Sequence, residues 1–218
     1  MNNKLLSTVS GYWLRFDLFL PINALASLGN LIQQAYCDEH RYYHNDTHIS
    51  EGLMEYTRIH RIMRLSPTNR LLLFLMWLFH DAVNDPEAND NESQSAIMFV
   101  QFARHELKLS KALVRMGIRG ILATDHKIAP SDELSQILCD IDLVRLACPW
   151  DEFERHTANL RLEKAHLNDD QFRVWQITTL RMFLDRQSIY LTDDFRTRYE
   201  APARTNLTRA LAELEASP

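Results

Sequence analysis

Residues 71–81 read Leu71-Leu72-Leu73-Phe74-Leu75-Met76-Trp77-Leu78-Phe79-His80-Asp81, nine apolar side chains followed at once by an imidazole and an acid. Ser66-Pro67 stands just upstream and predicts a helix over 68–82, because serine caps a helix start and proline fits its first turn. A helix that is apolar on every face belongs in a core. The His80-Asp81 pair at its end is expensive to bury unless something binds it. A helix cap or an ion pair would do so. A divalent cation would also, since imidazole and carboxylate are its usual nitrogen and oxygen ligands.

Outward from this stretch, apolar residues recur every three or four positions over most of the chain, the period of amphipathic helices. The pattern predicts helices at about 22–36, 48–64, 68–82, 93–107, 110–124, 132–147, 150–164, 169–186 and 203–215. Ser131 with Asp132-Glu133 opens the sixth of these, and Thr192-Asp193-Asp194 reads as a short cap or turn before the last. The polar segment Asn84 to Asn91 (NDPEANDN) reads as a loop directly after His80-Asp81. No repeat, low-complexity tract or linker is visible, so the expectation is an all-α, single-domain helical bundle over 1–218.

Composition narrows the function classes. Hydrophobic residues make up 46% of the 218, enough for a real core, and only five glycines and seven prolines are too few for a turn-rich β design. A formal net charge of -5 argues against a binder of nucleic-acid polymers. It leaves room for a small anionic substrate if local cations offset the global field. The three cysteines, Cys37, Cys139 and Cys148, are scattered and lack zinc-type spacing, which suits reduced thiols in a cytoplasmic protein. The N-terminus MNNKLLSTVSGYWLRF lacks the apolar core of a signal peptide, and no apolar run approaches the ~20 residues of a spanning helix. No membrane partner is expected.

Several residues elsewhere have the right chemistry to join His80 and Asp81. In Tyr42-Tyr43-His44-Asn45-Asp46-Thr47-His48, the two histidines are four apart and would share a face if helical. If the stretch is instead a loop feeding a helix near His48, His44 stacks on its tyrosines. Thr124-Asp125-His126 closes a helix, where a histidine also suits the helix dipole. In Leu138-Cys139-Asp140-Ile141-Asp142-Leu143 the two acids lie about 200° apart around a helix, so only one of them can face a given site.

The order of His48, His80-Asp81 and an aspartate at 140 or 142 resembles the H…HD…D pattern of the HD-domain superfamily of metal-dependent phosphohydrolases. YHNxxHI, FHDAVND, DNExxSA, LATxH, DIDL, FLDRQSIYLTDDF and ARTNL extend the resemblance over roughly residues 40–210, and look like an uncharacterised bacterial branch of that superfamily. The resemblance implies a helical HD-type bundle with His48, His80, Asp81 and Asp142 as ligands of a divalent cation: Mn²⁺, Mg²⁺, Fe²⁺, Co²⁺, Ni²⁺ or Zn²⁺. It favours Asp142 over Asp140, as the second acid of the DxD-Leu segment. Relatives with two metals carry further histidines between the HD pair and the final aspartate. Here Asn91 precedes Glu92, and only His105 and His126 fall in that interval, which favours one metal.

The implied reaction is hydrolysis of a phosphate ester of a small metabolite, a nucleotide being the first candidate, by a metal-activated water. Glu92 is the candidate proton-handling acid beside Asp81, with Asp85 as runner-up and Ser95 on the same helix face as Glu92. The plain alternative for Glu92 is a surface acid in a first helical turn. His126, Lys127 and Arg119 are candidate phosphate contacts, against the alternative that surface cations are merely solvated. His44 and Asn45 are candidate pocket-lining residues. Two other functions fit the same pattern: a di-iron HD-type oxygenase, which needs more histidines, and a non-catalytic nucleotide- or metal-binding sensor. The helix at the C-terminus could pack internally or pair two subunits as a homodimer. Trp77, Phe74, Phe79, Phe172, Trp175 and Phe183 read as core.

Overall fold

The computed structural model describes Val9, Gly11 and residues 21–216. The N-terminal stretch read for a signal sequence therefore lies, those two residues apart, outside the described residues. Every regular element among the described residues is helical, as an all-α fold requires: α1 (Ile22–Tyr36), α2 (Asp46–Ile62), α3 (Pro67–Phe79), α4 (Asn91–His105), α5 (Lys111–Ala123), α6 (Glu133–Asp142), a 3₁₀ turn (Leu143–Ala147), α7 (Trp150–Glu163), α8 (Asp169–Leu184) and α9 (Asp193–Ala216). The chain forms two compact units, the first ending at Ile141 and the second beginning at Asp142. None of the described helices is long and apolar enough to cross a membrane.

The first unit is built around α3, which packs against α2, α4 and α5. The Ser66 hydroxyl accepts from the Asn69 amide at 3.2 Å, with Pro67 in the first turn. Leu72 through Phe79 are all buried, as an apolar run on every face demands. Each such side chain contributes about 1.5–3 kcal/mol of burial energy. The loop after α3 is fixed from α4. The Ser95 hydroxyl, fully buried, accepts from the Val83 amide at 3.0 Å and faces the Val83 carbonyl at 3.4 Å. Asn91 and Asp85 clasp the same loop, the Asp85 amide donating to Asn91 Oδ1 at 2.9 Å and Asn91 Nδ2 donating to the Asp85 carbonyl at 2.8 Å.

Predicted and observed helix ends differ where side chains decide them. α2 begins at Asp46 because Asn45 caps it, and α6 is opened by Asp132, whose carboxylate accepts from the amide and hydroxyl of Ser135 at 3.0 and 2.9 Å. The helix expected over 132–147 keeps α geometry only to Asp142 and tightens into a 3₁₀ turn, a frequent ending.

In the second unit α9 packs against α8 and the 3₁₀ turn. It starts at Asp193, ten residues before the expected 203, and runs through Pro202. Proline removes one backbone bond from the helix. Fully buried anchors on both sides, Phe195 before it and Ala203 and Leu207 after it, hold the chain helical across the gap. The ARTNL and FLDRQSIYLTDDF segments meet here. Arg204 donates to the carbonyls of Leu184 and Arg186 at 3.0 and 2.7 Å, and Glu200 accepts from the amides of Ile189 and Tyr190. Buried Asn206 donates to the carbonyls of Leu146 and Cys148 at 2.9 and 2.8 Å, and the Tyr190 hydroxyl donates to the Leu143 carbonyl at 2.9 Å. These segments are capping and packing devices.

Candidate metal centre

His48 is set by a helix start. Asn45 Oδ1 accepts from the amides of Thr47 and His48 at 3.0 and 3.3 Å, so the chain turns helical immediately before His48. His48 therefore sits in the first turn of α2, buried, while His44 remains in the preceding loop. The two histidines do not share a helix. His44 lies edge-on to Tyr43, with ring centroids 4.7 Å apart, and its Nε2 is 3.9 Å from Asp81 Oδ2.

His80 is set by a helix end. Its Nδ1 lies 2.7 Å from the carbonyl of Trp77. A carbonyl can only accept, so Nδ1 is the donor here, and in a neutral ring that leaves the lone pair on Nε2. The Trp77 indole stacks on the His80 ring at 4.4 Å and donates Nε1–H to the Ile49 carbonyl at 3.0 Å, which joins α3 to α2 behind both imidazoles. Gly52 lets the indole sit there: a Cβ at that position would stand 1.9 Å from its Cζ2.

The donor atoms converge. His80 Nε2 is 3.0 Å from Asp81 Oδ2 and 3.2 Å from His48 Nε2, and His48 Nε2 is 3.7 Å from Asp81 Oδ2. Asp142, the last residue of α6, completes a set whose ligand atoms all lie within 4.8 Å of one another. Asp140 is not in that set, as its angular separation from Asp142 requires, yet it is fully buried rather than turned to solvent, whereas Asp142 is half-buried. A cation holding donors at about 2.1 Å at right angles separates neighbours by about 3 Å. The close separations match that spacing. His80 Nε2 faces another imidazole nitrogen and a carboxylate oxygen, an arrangement that a shared cation would satisfy. Two nitrogens and two carboxylates could thus hold a divalent metal ion, with both imidazoles buried and Asp81 partly open to solvent.

The other predicted residues fall around or away from this cluster. Asn45 is the α2 cap rather than a free pocket donor, its Nδ2 donating to the Tyr42 carbonyl at 2.8 Å. Glu92 is half-buried in the first turn of α4, outside the clustered set. Ser95 serves the backbone of Val83, and the Asp85 carboxylate accepts from the Glu87 amide at 3.0 Å in an exposed turn. His126 takes a left-handed conformation, φ 55°, at the turn after α5. Lys127 is exposed and pairs with Asp125 at 3.3 Å, and Arg119 is exposed on α5.

Tyr36 and Arg41 carry no motif, yet both reach Asp81. The Asp81 amide donates to the Tyr36 hydroxyl at 3.2 Å, and Arg41 Nη1 donates to the Asp81 carbonyl at 2.7 Å. Neither was legible as a site residue, because forty or more positions separate them from their partner. Comparison with known proteins finds no matching family model and no matching curated relative.

Proposed function

We propose that this protein is a metal-dependent phosphohydrolase that cleaves a phosphate ester of a small metabolite, a nucleotide being the first candidate. The observation that carries the reading is the convergence of His48, His80, Asp81 and Asp142 within 4.8 Å, with the His80 ring held through Nδ1 by the Trp77 carbonyl. Its order along the chain resembles H…HD…D. His48 and His80 would hold the ion through Nε2, Asp81 and Asp142 through carboxylate oxygens. A bound divalent cation supplies Lewis acidity, polarising a phosphoryl oxygen and lowering the pKa of bound water from 15.7 towards about 7.

The chain's own groups do the rest. Asp81 orients the attacking water from the solvent side of the cluster, and Glu92 takes up its proton. His126, Lys127, Arg119 and His44 supply donors and positive charge for the phosphate, whose negative charge grows at the leaving oxygen. The residue types suit Mn²⁺, Fe²⁺, Co²⁺, Ni²⁺, Zn²⁺ or Mg²⁺.

The test is elemental analysis, followed by a screen of nucleotides and sugar phosphates with chelator-treated and metal-restored protein. Hydrolysis should stop with the chelator and return with Mn²⁺ or a similar ion. Asp81→Ala should lose metal retention with its helical circular-dichroism signal intact. Full metal retention by Asp81→Ala would overturn the site, and retained metal without turnover of any phosphoester would mark a binding module.

A further inference from the structure

We propose that Arg41, with Tyr36, is the positioning device of the metal centre: the pair grips the Asp81 peptide from both ends and thereby aims its carboxylate. The inference rests on the metal-site reading above. It starts from the turn after α3, where the chain has left the helix and its backbone carbonyls need partners from elsewhere. Arg41 supplies them for two residues of that turn. Its Nη1 donates to the Asp81 carbonyl at 2.7 Å and its Nη2 to the Ala82 carbonyl at 2.9 Å, a fork across two successive peptides. The same Nη1 reaches the His44 carbonyl at 3.2 Å, so one guanidinium joins the loop before α2 to the turn after α3. Its positive charge also lies at the negative end of the α3 dipole.

Tyr36 closes the grip. Its hydroxyl accepts from the Asp81 amide at 3.2 Å, and its ring lies beneath Arg41, whose guanidinium carbon stands 5.0 Å from the centroid. Tyr36 is itself buried at the end of α1. Asp81 therefore has its amide held by one residue and its carbonyl by the other, and its side chain extends from that fixed backbone towards His80 and His48. A carboxylate so fixed meets His80 Nε2 at 3.0 Å without having to be ordered when an ion arrives. Lysine could not reproduce this, because one ammonium cannot span two carbonyls as a planar fork does.

The experiment is a Co²⁺ titration of the full chain, read by visible absorption and calorimetry, on the parent, Asp81→Ala, Arg41→Met, Arg41→Lys and Tyr36→Phe. Arg41→Met should weaken Co²⁺ about 10–100-fold, the usual cost of losing a group that orients a ligand. Its d–d bands should shift, and Arg41→Lys should fall between it and the parent. Unchanged affinity and bands in a folded Arg41→Met overturn the proposal. Should Arg41→Met fail to fold, the near-isosteric Tyr36→Phe decides: shifted bands support the grip, parental bands and affinity refute it. A parent that binds no Co²⁺ removes the metal site itself, whereas parental binding lost in Asp81→Ala but untouched in the Arg41 and Tyr36 variants removes only this inference.

Discussion

Trp77 lies directly over Gly52, close enough that a single added carbon at position 52 would overlap the indole, 1.9 Å from Cζ2 and 2.2 Å from Cε2. In an ordinary helix interior, glycine to alanine would gain about 1 kcal/mol. Here overpacking reverses the sign. Gly52→Ala should lose about 1–3 kcal/mol, read as a lower urea midpoint. It should also weaken metal binding, because the displaced indole is the surface on which His80 stacks. An alanine variant as stable as the parent would mean that α2 and α3 separate at no cost.

Asp140 and Asp142 should separate cleanly by experiment. Asp142→Ala should retain little metal after dialysis while unfolding near the parental midpoint. Asp140→Ala, altered at a fully buried position outside the clustered set, should keep its metal affinity and lose stability. Elemental analysis beside urea unfolding reads both, and the reverse pattern would exchange the two assignments.

Asn206 is the corresponding test for the second unit. Asn206→Leu preserves volume but strips the carbonyls of Leu146 and Cys148 of their donor. A loss of about 2 kcal/mol is expected. It should appear as faster proteolytic nicking near residues 143–150, and parental resistance there would contradict the assignment.

His60 gives the protein a pH-dependent term. Burial, then the positive charges of Arg70 and Arg61, hold its imidazole below the ordinary value of 6.5. The unfolded chain takes up this proton at higher pH than the folded one. The contribution is therefore fully present above 6.5 and is lost as pH falls through the folded value. The difference in urea midpoint between pH 8 and pH 5.5 should shrink in His60→Gln; an identical difference in both proteins would assign the acid sensitivity elsewhere.

The fold was legible in the sequence wherever local chemistry decides it. Ser66-Pro67 announces α3, and the 100° step per residue separates Asp140 from Asp142. What escaped was decided at a distance. Pro202 reads locally as a helix stop, yet buried neighbours on both sides carry α9 through it. Asn45 looks like a pocket donor until the start of α2 consumes its oxygen. Trp77 was readable as core, but not as the wall behind two imidazoles. Arg41 is one of many arginines in the chain, and only the folded backbone brings it to Asp81. The candidate ligands were readable because their types and order are unusual, whereas the groups that hold them act through backbone atoms, which every residue has.

The bond from His80 Nδ1 to the Trp77 carbonyl has a kinetic corollary. Because Nδ1 already tethers that ring and its Nε2 already lies beside Asp81 Oδ2 and His48 Nε2, capture of an ion would require no rotamer search by this residue. The speed of loading should then follow how readily each aqua ion sheds its own hydration shell, fast for Mn²⁺ and slow for Ni²⁺, rather than any rearrangement of the polypeptide.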